Sequence, residues 1–275
     1  MTFTKMHGLG NDFLIFEDAG DSRDWRKLAQ DLCRRRLSVG ADGILVVLPS
    51  GSADTRMRIF NPDGSEAEMC GNGIRCFAKY VFEHGIVTKQ QMTVETLAGV
   101  MVPRLKLEDG KVAEVTVDMG RPQFDRARIP MTGEGSTFDV PLMAGGQEII
   151  VSALVMGAPH AVVLTDDISA LDTAALGPAI ENHAAFPNRI NVDFVQVLDP
   201  GNIRVLTWER GAGFTLACGT GSSASVVAMH HKGLTGRSIN VHLAAGRLCI
   251  EYLEDGRVMM TGPAEEVYTA ALSGS

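Results

Sequence analysis

Cys70-Gly-Asn-Gly-Ile-Arg-Cys-Phe-Ala-Lys-Tyr-Val-Phe-Glu-His-Gly85 is a plan this chain writes twice. Cys218-Gly-Thr-Gly-Ser-Ser-Ala-Ser-Val-Val-Ala-Met-His-His-Lys-Gly233 repeats it 148 residues later, cysteine first and glycine last. Self-similarity at a fixed offset constrains architecture before any local reading does. Each copy is followed by an alternating strand-like stretch with an Ala-Gly pair, Ala98-Gly99 and Ala245-Gly246. An acidic turn then comes in both, Glu108-Asp109-Gly110 and Glu254-Asp255-Gly256. Upstream, Arg58-Ile59-Phe60-Asn61 parallels Arg204-Val205-Leu206-Thr207, and Leu14-Ile15-Phe16-Glu17-Asp18 parallels Val163-Leu164-Thr165-Asp166-Asp167. Several matches in one order at one offset point to a duplicated unit.

Each unit reads as several strands around one helix. Ile74, Phe77, Ala78, Val81 and Phe82 recur at three- and four-residue steps, which predicts a helix from Gly71 to about His84 with one apolar face, closed by Gly85. The second copy predicts a helix from Gly219 to about Lys232, closed by Gly233. Ile44-Leu45-Val46-Val47-Leu48 reads as a buried strand, and Asp109-Gly110 and Asp255-Gly256 as hairpin turns. The expected fold class is α+β: two pseudo-symmetric domains, each a β-sheet or barrel wrapped around a central helix. A polar stretch from Asp118 to Pro141 belongs to the join. The first half is expected to span 1–118 with the C-terminal tail, about 263–275, and the second half 119–262.

Composition narrows the function classes. A net charge of −8 over 275 residues disfavours a phosphate-backbone partner, so no nucleic acid is expected. No signal-peptide core and no run of about 18 apolar residues is found, so a cytoplasmic protein without a membrane span is expected. Five cysteines, Cys33, Cys70, Cys76, Cys218 and Cys249, are odd in number and irregular in spacing, which reads as free thiols. Cys33, Cys76 and Cys249 are read as core filling. Cys70-x5-Cys76 is not a zinc spacing and has no histidine at ligand distance in sequence, so no metal is expected. Gly8-Leu9-Gly10-Asn11 does not extend to a dinucleotide fingerprint after a strand.

Cys70 and Cys218 differ from the other three in standing immediately before glycine-rich helix openings. Unpaired first-turn N–H groups and the helix dipole favour a thiolate there, below the ~8.5 of a free thiol. The same amides can hold a carboxylate, and glycine lets a ligand reach the backbone. Two such openings related by pseudo-symmetry suit inversion of a stereocentre, which needs a base on one face and an acid on the other. A reversible thiol switch, in which Cys70 and Cys218 join, is the rival reading from another class.

Met6-His7-Gly8-Leu9-Gly10-Asn11-Asp12-Phe13, Met69-Cys70-Gly71-Asn72-Gly73-Ile74-Arg75-Cys76, Glu209-Arg210-Gly211-Ala212-Gly213 and Cys218-Gly219-Thr220-Gly221 resemble the diaminopimelate epimerases, over essentially the whole chain. Gly262-Pro263-Ala264, followed by Val267-Tyr268, resembles that family's C-terminal end. The resemblance implies interconversion of LL- and meso-2,6-diaminopimelate, on the route to lysine and to the peptidoglycan cross-linker, with no pyridoxal phosphate or other cofactor. It makes Cys70 and Cys218 the acid/base pair, with His160 and Glu209 at the reacting centre. It assigns the reacting carboxylate to Gly71, Asn72, Gly219 and Thr220, and the far amino-acid head to Asn11, Asn61, Asn191, Glu209 and Arg210. Tyr268 resembles a tyrosine of the family's dimer interface, so a homodimer is expected. Two positions depart from the pattern: Ala158, where many members have Asn, and Gly43, where some have Gln. A proline-racemase-like or PhzF-like enzyme on the same duplicated scaffold is the neighbouring reading.

Overall fold

The computed structural model describes residues 1–20 and 22–272. Of the tail expected to join the first half, 273–275 lie outside the described residues. The chain forms two compact units, Met1–Asp118 with Thr261–Ser275, and Met119–Met260. The first unit runs β1 (Thr2–Gly8), β2 (Asn11–Glu17), α1 (Trp25–Leu32), β3 (Gly43–Leu48), β4 (Thr55–Phe60), β5 (Glu66–Ala67), α2 (Gly71–Glu83), β6 (Val94–Thr96), β7 (Gly99–Met101), β8 (Arg104–Glu108) and β9 (Lys111–Asp118). The second runs β10 (Val140–Ala144), β11 (Gln147–Met156), β12 (Ala158–Leu164), α3 (Thr173–Glu181), β13 (Asn191–Asp199), β14 (Asn202–Glu209), β15 (Gly213–Phe214), α4 (Gly219–His231), β16 (Ser238–Leu243) and β17 (Gly246–Tyr252). In β18 (Val258–Gly262) the chain passes back to the first unit, where it ends in β19 (Glu265–Ala271).

The duplication is legible in the pairing. The order β1-β2-β3-β4-β6-β7 in the first unit is matched by β11-β12-β13-β14-β16-β17 in the second. Both sequences of pairs alternate antiparallel, parallel, antiparallel, parallel, antiparallel. Parallel neighbours need a crossover connection, and each unit places its helices in those crossovers. Register makes the correspondence residue by residue. Phe13 pairs with Gly43 and Ile44 with Phe60, as His160 pairs with Asn191 and Val192 with Trp208. Phe13 is therefore equivalent to His160, Gly43 to Asn191, and Phe60 to Trp208. The same register makes Leu14 equivalent to Ala161 and Arg58 to Leu206, two residues away from the strand alignments drawn from sequence. A slip of two keeps every side chain on its face of the sheet, so the apolar pattern alone could not detect it.

The central helices occupy the spans expected for them. Helix α2 packs on β1, β2, β3, β4, β9 and β19, and α4 on β11, β12, β13, β14, β16 and β17. His84 and Lys232 are their C-caps, followed by Gly85 and Gly233 at φ 74° and 71°, left-handed values that favour glycine. Helix α4 is buried on nearly every side from Gly219 to Met229, so its face is not amphipathic. Two of its serines tolerate burial because Ser222 Oγ donates to Cys218 O and Ser223 Oγ to Gly219 O, both at 2.8 Å. Strand β3 is buried at all six positions. Asp109 and Gly110, at φ 51° and 78°, make the tight turn between β8 and β9. On β19, the outer strand of its sheet, Tyr268 is 42% exposed and its ring stands 6.0 Å from Phe3.

Candidate active site

Cys70 and Cys218 are the N-cap residues of α2 and α4. Both have extended backbones, φ/ψ of −139°/120° and −123°/112°, and each sulfur accepts the N–H three residues on, from Gly73 and from Gly221, at 3.4 Å. The thiol thus does what a serine or aspartate does at an N-cap. Glycine at the third position sits in a tight space in the first unit and is required in the second. A Cβ on Gly73 would lie 3.3 Å from Leu45 Cδ2, and one on Gly221 would overlap Asp193 Oδ1.

Around Cys70 the first unit gathers neutral amides and one buried cation. Asn11 Oδ1 accepts from Cys70 Sγ at 3.7 Å and from Asn72 Nδ2 at 3.1 Å. The amide orientation of Asn11 is fixed by Asp42, whose Oδ2 takes Asn11 Nδ2 at 2.9 Å and Asp12 N at 3.1 Å. Asn72 Oδ1 accepts from Arg75 Nη1 at 2.9 Å, and Arg75, fully buried, also donates to Pro263 O at 3.2 Å. Burial pulls the Arg75 guanidinium down from its ordinary value. Asn11 thus lies against the sulfur. Asn61 closes the turn after β4, donating to Ser65 Oγ at 2.9 Å.

The second unit is built differently. The Glu209 carboxylate interacts electrostatically with Cys218 and Thr215. Burial raises Glu209, Asp193 adding to the effect against partial relief from Thr215, His160 and Cys218. The Cys218 thiol is pushed well up, first by burial and then by the Glu209 and Asp193 carboxylates, against Thr220 Oγ1 at 3.3 Å and the Gly221 N–H. The expectation that a helix opening lowers this thiol is corrected here: burial and two nearby carboxylates outweigh one amide. His160 and Asp193 are both 0% exposed, joined Nδ1 to Oδ2 at 2.7 Å, while Thr207 Oγ1 donates to Asp193 Oδ1 at 2.7 Å. Asn191 spends its amide on backbone, donating to Pro159 O and accepting from Arg210 N, both at 2.9 Å. Glu181, buried, braces the same turn through Trp208 Nε1 at 2.7 Å and Gly211 N at 2.9 Å. The Arg210 guanidinium donates to Asn188 O at 3.2 Å from an exposed position.

Sequence reasoning missed Asp193, Thr207, Asp42 and Arg75. Asp193 had a signal: it stands in the run Val192–Val195, otherwise apolar, where an acid is out of place. Of the two departures, Gly43 is dictated locally, since a Cβ there would lie 2.8 Å from Phe60 O. Ala158 heads β12 and is the register equivalent of Asn11. Among the described residues no three His, Cys, Asp or Glu side chains converge as a metal site, and no helix is long and apolar enough to cross a membrane.

A family model described as diaminopimelate epimerase matches residues 3–125 and 152–267. The chain belongs to the diaminopimelate epimerase family. It is thereby one of a family of isomerases. The diaminopimelate epimerase of Pelotomaculum thermopropionicum is 53% identical over 273 residues, 98% of each chain. Among solved structures, the fold is similar to a PhzF-family phenazine biosynthesis protein of Bacillus anthracis, with a TM-score of 0.74 at 17% identity over 98% of each chain. It is also similar to a probable proline racemase of Agrobacterium radiobacter, at 0.70 and 18% identity over 99% of this chain and 92% of the other. The fold is thus shared with both of these proteins.

Proposed function

We propose that the protein interconverts LL- and meso-2,6-diaminopimelate by a two-base mechanism in which Cys70 and Cys218 act on opposite faces of one α-carbon. One sulfur, as thiolate, takes the α-proton. The other, as thiol, returns a proton to the opposite face, and the roles exchange in the reverse direction. The observation that carries this reading is the equivalence of the two sulfurs, each an N-cap accepting a glycine N–H at 3.4 Å in a duplicated unit. First-turn amides have no acceptor one turn back, and those of Gly71, Asn72, Gly219 and Thr220 hold the reacting carboxylate, which offsets the charge that develops as the α-proton leaves. Glu209 and His160 orient the substrate amine and help the thiols to lose their protons. Asn11, Asn61, Asn191 and Arg210 belong to substrate recognition, Asn191 by fixing the turn that carries Arg210. No pyridoxal phosphate enters the mechanism. The enzyme works in the cytoplasm on the route to lysine and peptidoglycan precursors, as a homodimer through the face bearing Tyr268.

The test is proton exchange in heavy water. LL-diaminopimelate, proline and hydroxyproline are incubated in parallel, with α-deuterium read by NMR. Exchange in diaminopimelate alone, abolished by Cys70→Ala and by Cys218→Ala, is expected. Deuterium in proline alone overturns the substrate, and full turnover by either alanine variant overturns the two-thiol mechanism in favour of a redox switch. The disulfide-joined form is expected to be inactive until reduced.

A further inference from the structure

The duplication supplies its own control for which buried groups the fold requires. By register, His160, Asp193 and Thr207 occupy the positions held in the first unit by Phe13, Leu45 and Ile59. The space around the helix openings agrees: a Cβ on Gly73 meets Leu45 and Phe13, and one on Gly221 meets Asp193 and Thr207. Both trios are buried, Phe13 3%, Leu45 0%, Ile59 2%, against His160 0%, Asp193 0%, Thr207 2%. An apolar trio therefore suffices to seat a helix of this kind. Burying a carboxylate and an imidazole in its place costs free energy unless they are paired, and replacing such pairs by apolar residues is often neutral or stabilising. Structure alone does not account for the polar trio.

We infer that Asp193 is a positioning residue for His160: it holds the Nδ1–H, Thr207 holds Asp193, and His160 Nε2 becomes the atom left to exchange a proton. Both oxygens of Asp193 are committed, one to each neighbour. His160 Nε2 is buried and has no protein partner among the described residues, as a group reserved for a ligand or a transferred proton does. Which imidazole nitrogen carries the proton is set by what the other one bonds. The carboxylates acting on the Cys218 thiol are Glu209 and Asp193, whereas Asn11 meets the Cys70 sulfur with an amide oxygen. The two thiols are thus equivalent in backbone, and in the second unit two carboxylates bear on the sulfur.

The assignment rests on the epimerase reading only for its turnover arm. In ¹⁵N-histidine-labelled protein without substrate, NMR is expected to show His160 protonated at Nδ1, and Asp193→Asn to shift it toward the Nε2–H form. Asp193→Asn is expected to lower kcat by about 10²- to 10⁴-fold, the usual worth of a positioned acid/base group, with KM within about threefold and an altered pH profile. The triple variant His160→Phe, Asp193→Leu, Thr207→Ile, which copies the first unit, is expected to fold with a melting temperature at or above wild type and to be inactive. An Nε2–H tautomer in the wild type, or Asp193→Asn with unchanged tautomer and unchanged kcat, overturns the inference whatever the substrate. A folded triple variant at wild-type rate does so too. Failure of the wild type to act on diaminopimelate, with the tautomer result intact, overturns the substrate reading instead.

Discussion

Gly73→Ala and Gly221→Ala place the same methyl at equivalent points of the two units, and their costs should differ sharply. At Gly73 the new Cβ would stand 3.3 Å from Leu45 Cδ2, 3.4 Å from Cys70 Cβ and 3.5 Å from Phe13 Cζ. Leu45 can give by a few tenths of an ångström, and alanine returns about 1 kcal/mol of helix propensity. The net change should be within about 1 kcal/mol of zero. At Gly221 the Cβ would overlap Asp193 Oδ1 and lie 3.0 Å from Thr207 Oγ1. The carboxylate, bonded through both oxygens, cannot move aside without releasing both Thr207 and His160, and each bond to a charged group is worth about 1.5–3 kcal/mol. After the propensity gain, Gly221→Ala should cost about 2–5 kcal/mol. Urea unfolding followed by circular dichroism reads both variants. A cycle sharpens the comparison: in the background carrying Asp193→Leu and Thr207→Ile, the Gly221→Ala penalty should fall to that of Gly73→Ala. Equal stabilities for the two single alanine variants, within about 0.5 kcal/mol, would refute the reasoning from unequal packing under the helix openings.

Glu209→Gln should move two readouts in opposite directions. Removing a carboxylate that opposes ionisation of Cys218 lowers the pH midpoint of its alkylation, read by peptide mass spectrometry, while turnover falls because the group able to accept its proton is gone. A raised midpoint would show that Glu209 acts otherwise. Cys76 is buried and pushed up to about 12, and Cys33 to about 11, both chiefly by burial, so iodoacetamide at pH 8 should spare both until urea unfolds the chain. Early labelling of Cys76 would contradict its burial. Glu66 is gripped by Arg58 at 2.6 and 2.8 Å, which holds its carboxyl below the ordinary range. A depressed folded pKa stabilises above the unfolded value, about 4.3, and that contribution is lost as pH falls through the folded value. Glu66→Gln should therefore cost about 2 kcal/mol at pH 7, a gap that closes below about pH 4; a gap constant with pH would exclude the ion pair as its cause.

How much of this was legible in the sequence follows from which physical signals have a period. Helices α2 and α4 were, because a cysteine before glycine and a glycine after the last turn mark both ends chemically, and these signals sit in the chain itself. The strand alignment was legible only modulo two, since a two-residue slip keeps each side chain of the apolar run Leu14–Phe16 on its face while the partner of Leu14 shifts from Val163 to Ala161. Cys70, Cys218 and Glu209 came from local motifs. Asp193 did not, because what distinguishes it is the comparison with Leu45, and that requires the register to place both side chains beneath a helix-opening glycine. The expectation of a low Cys218 pKa failed for a related reason: a helix opening is a local feature readable in sequence, whereas the opposing carboxylates arrive from β13 and the end of β14. Duplication made the two halves look alike in sequence and only pairing showed where they part. It follows that for this fold the informative positions are those where one copy is apolar and its equivalent is ionisable, because common packing explains the first and leaves the second to chemistry.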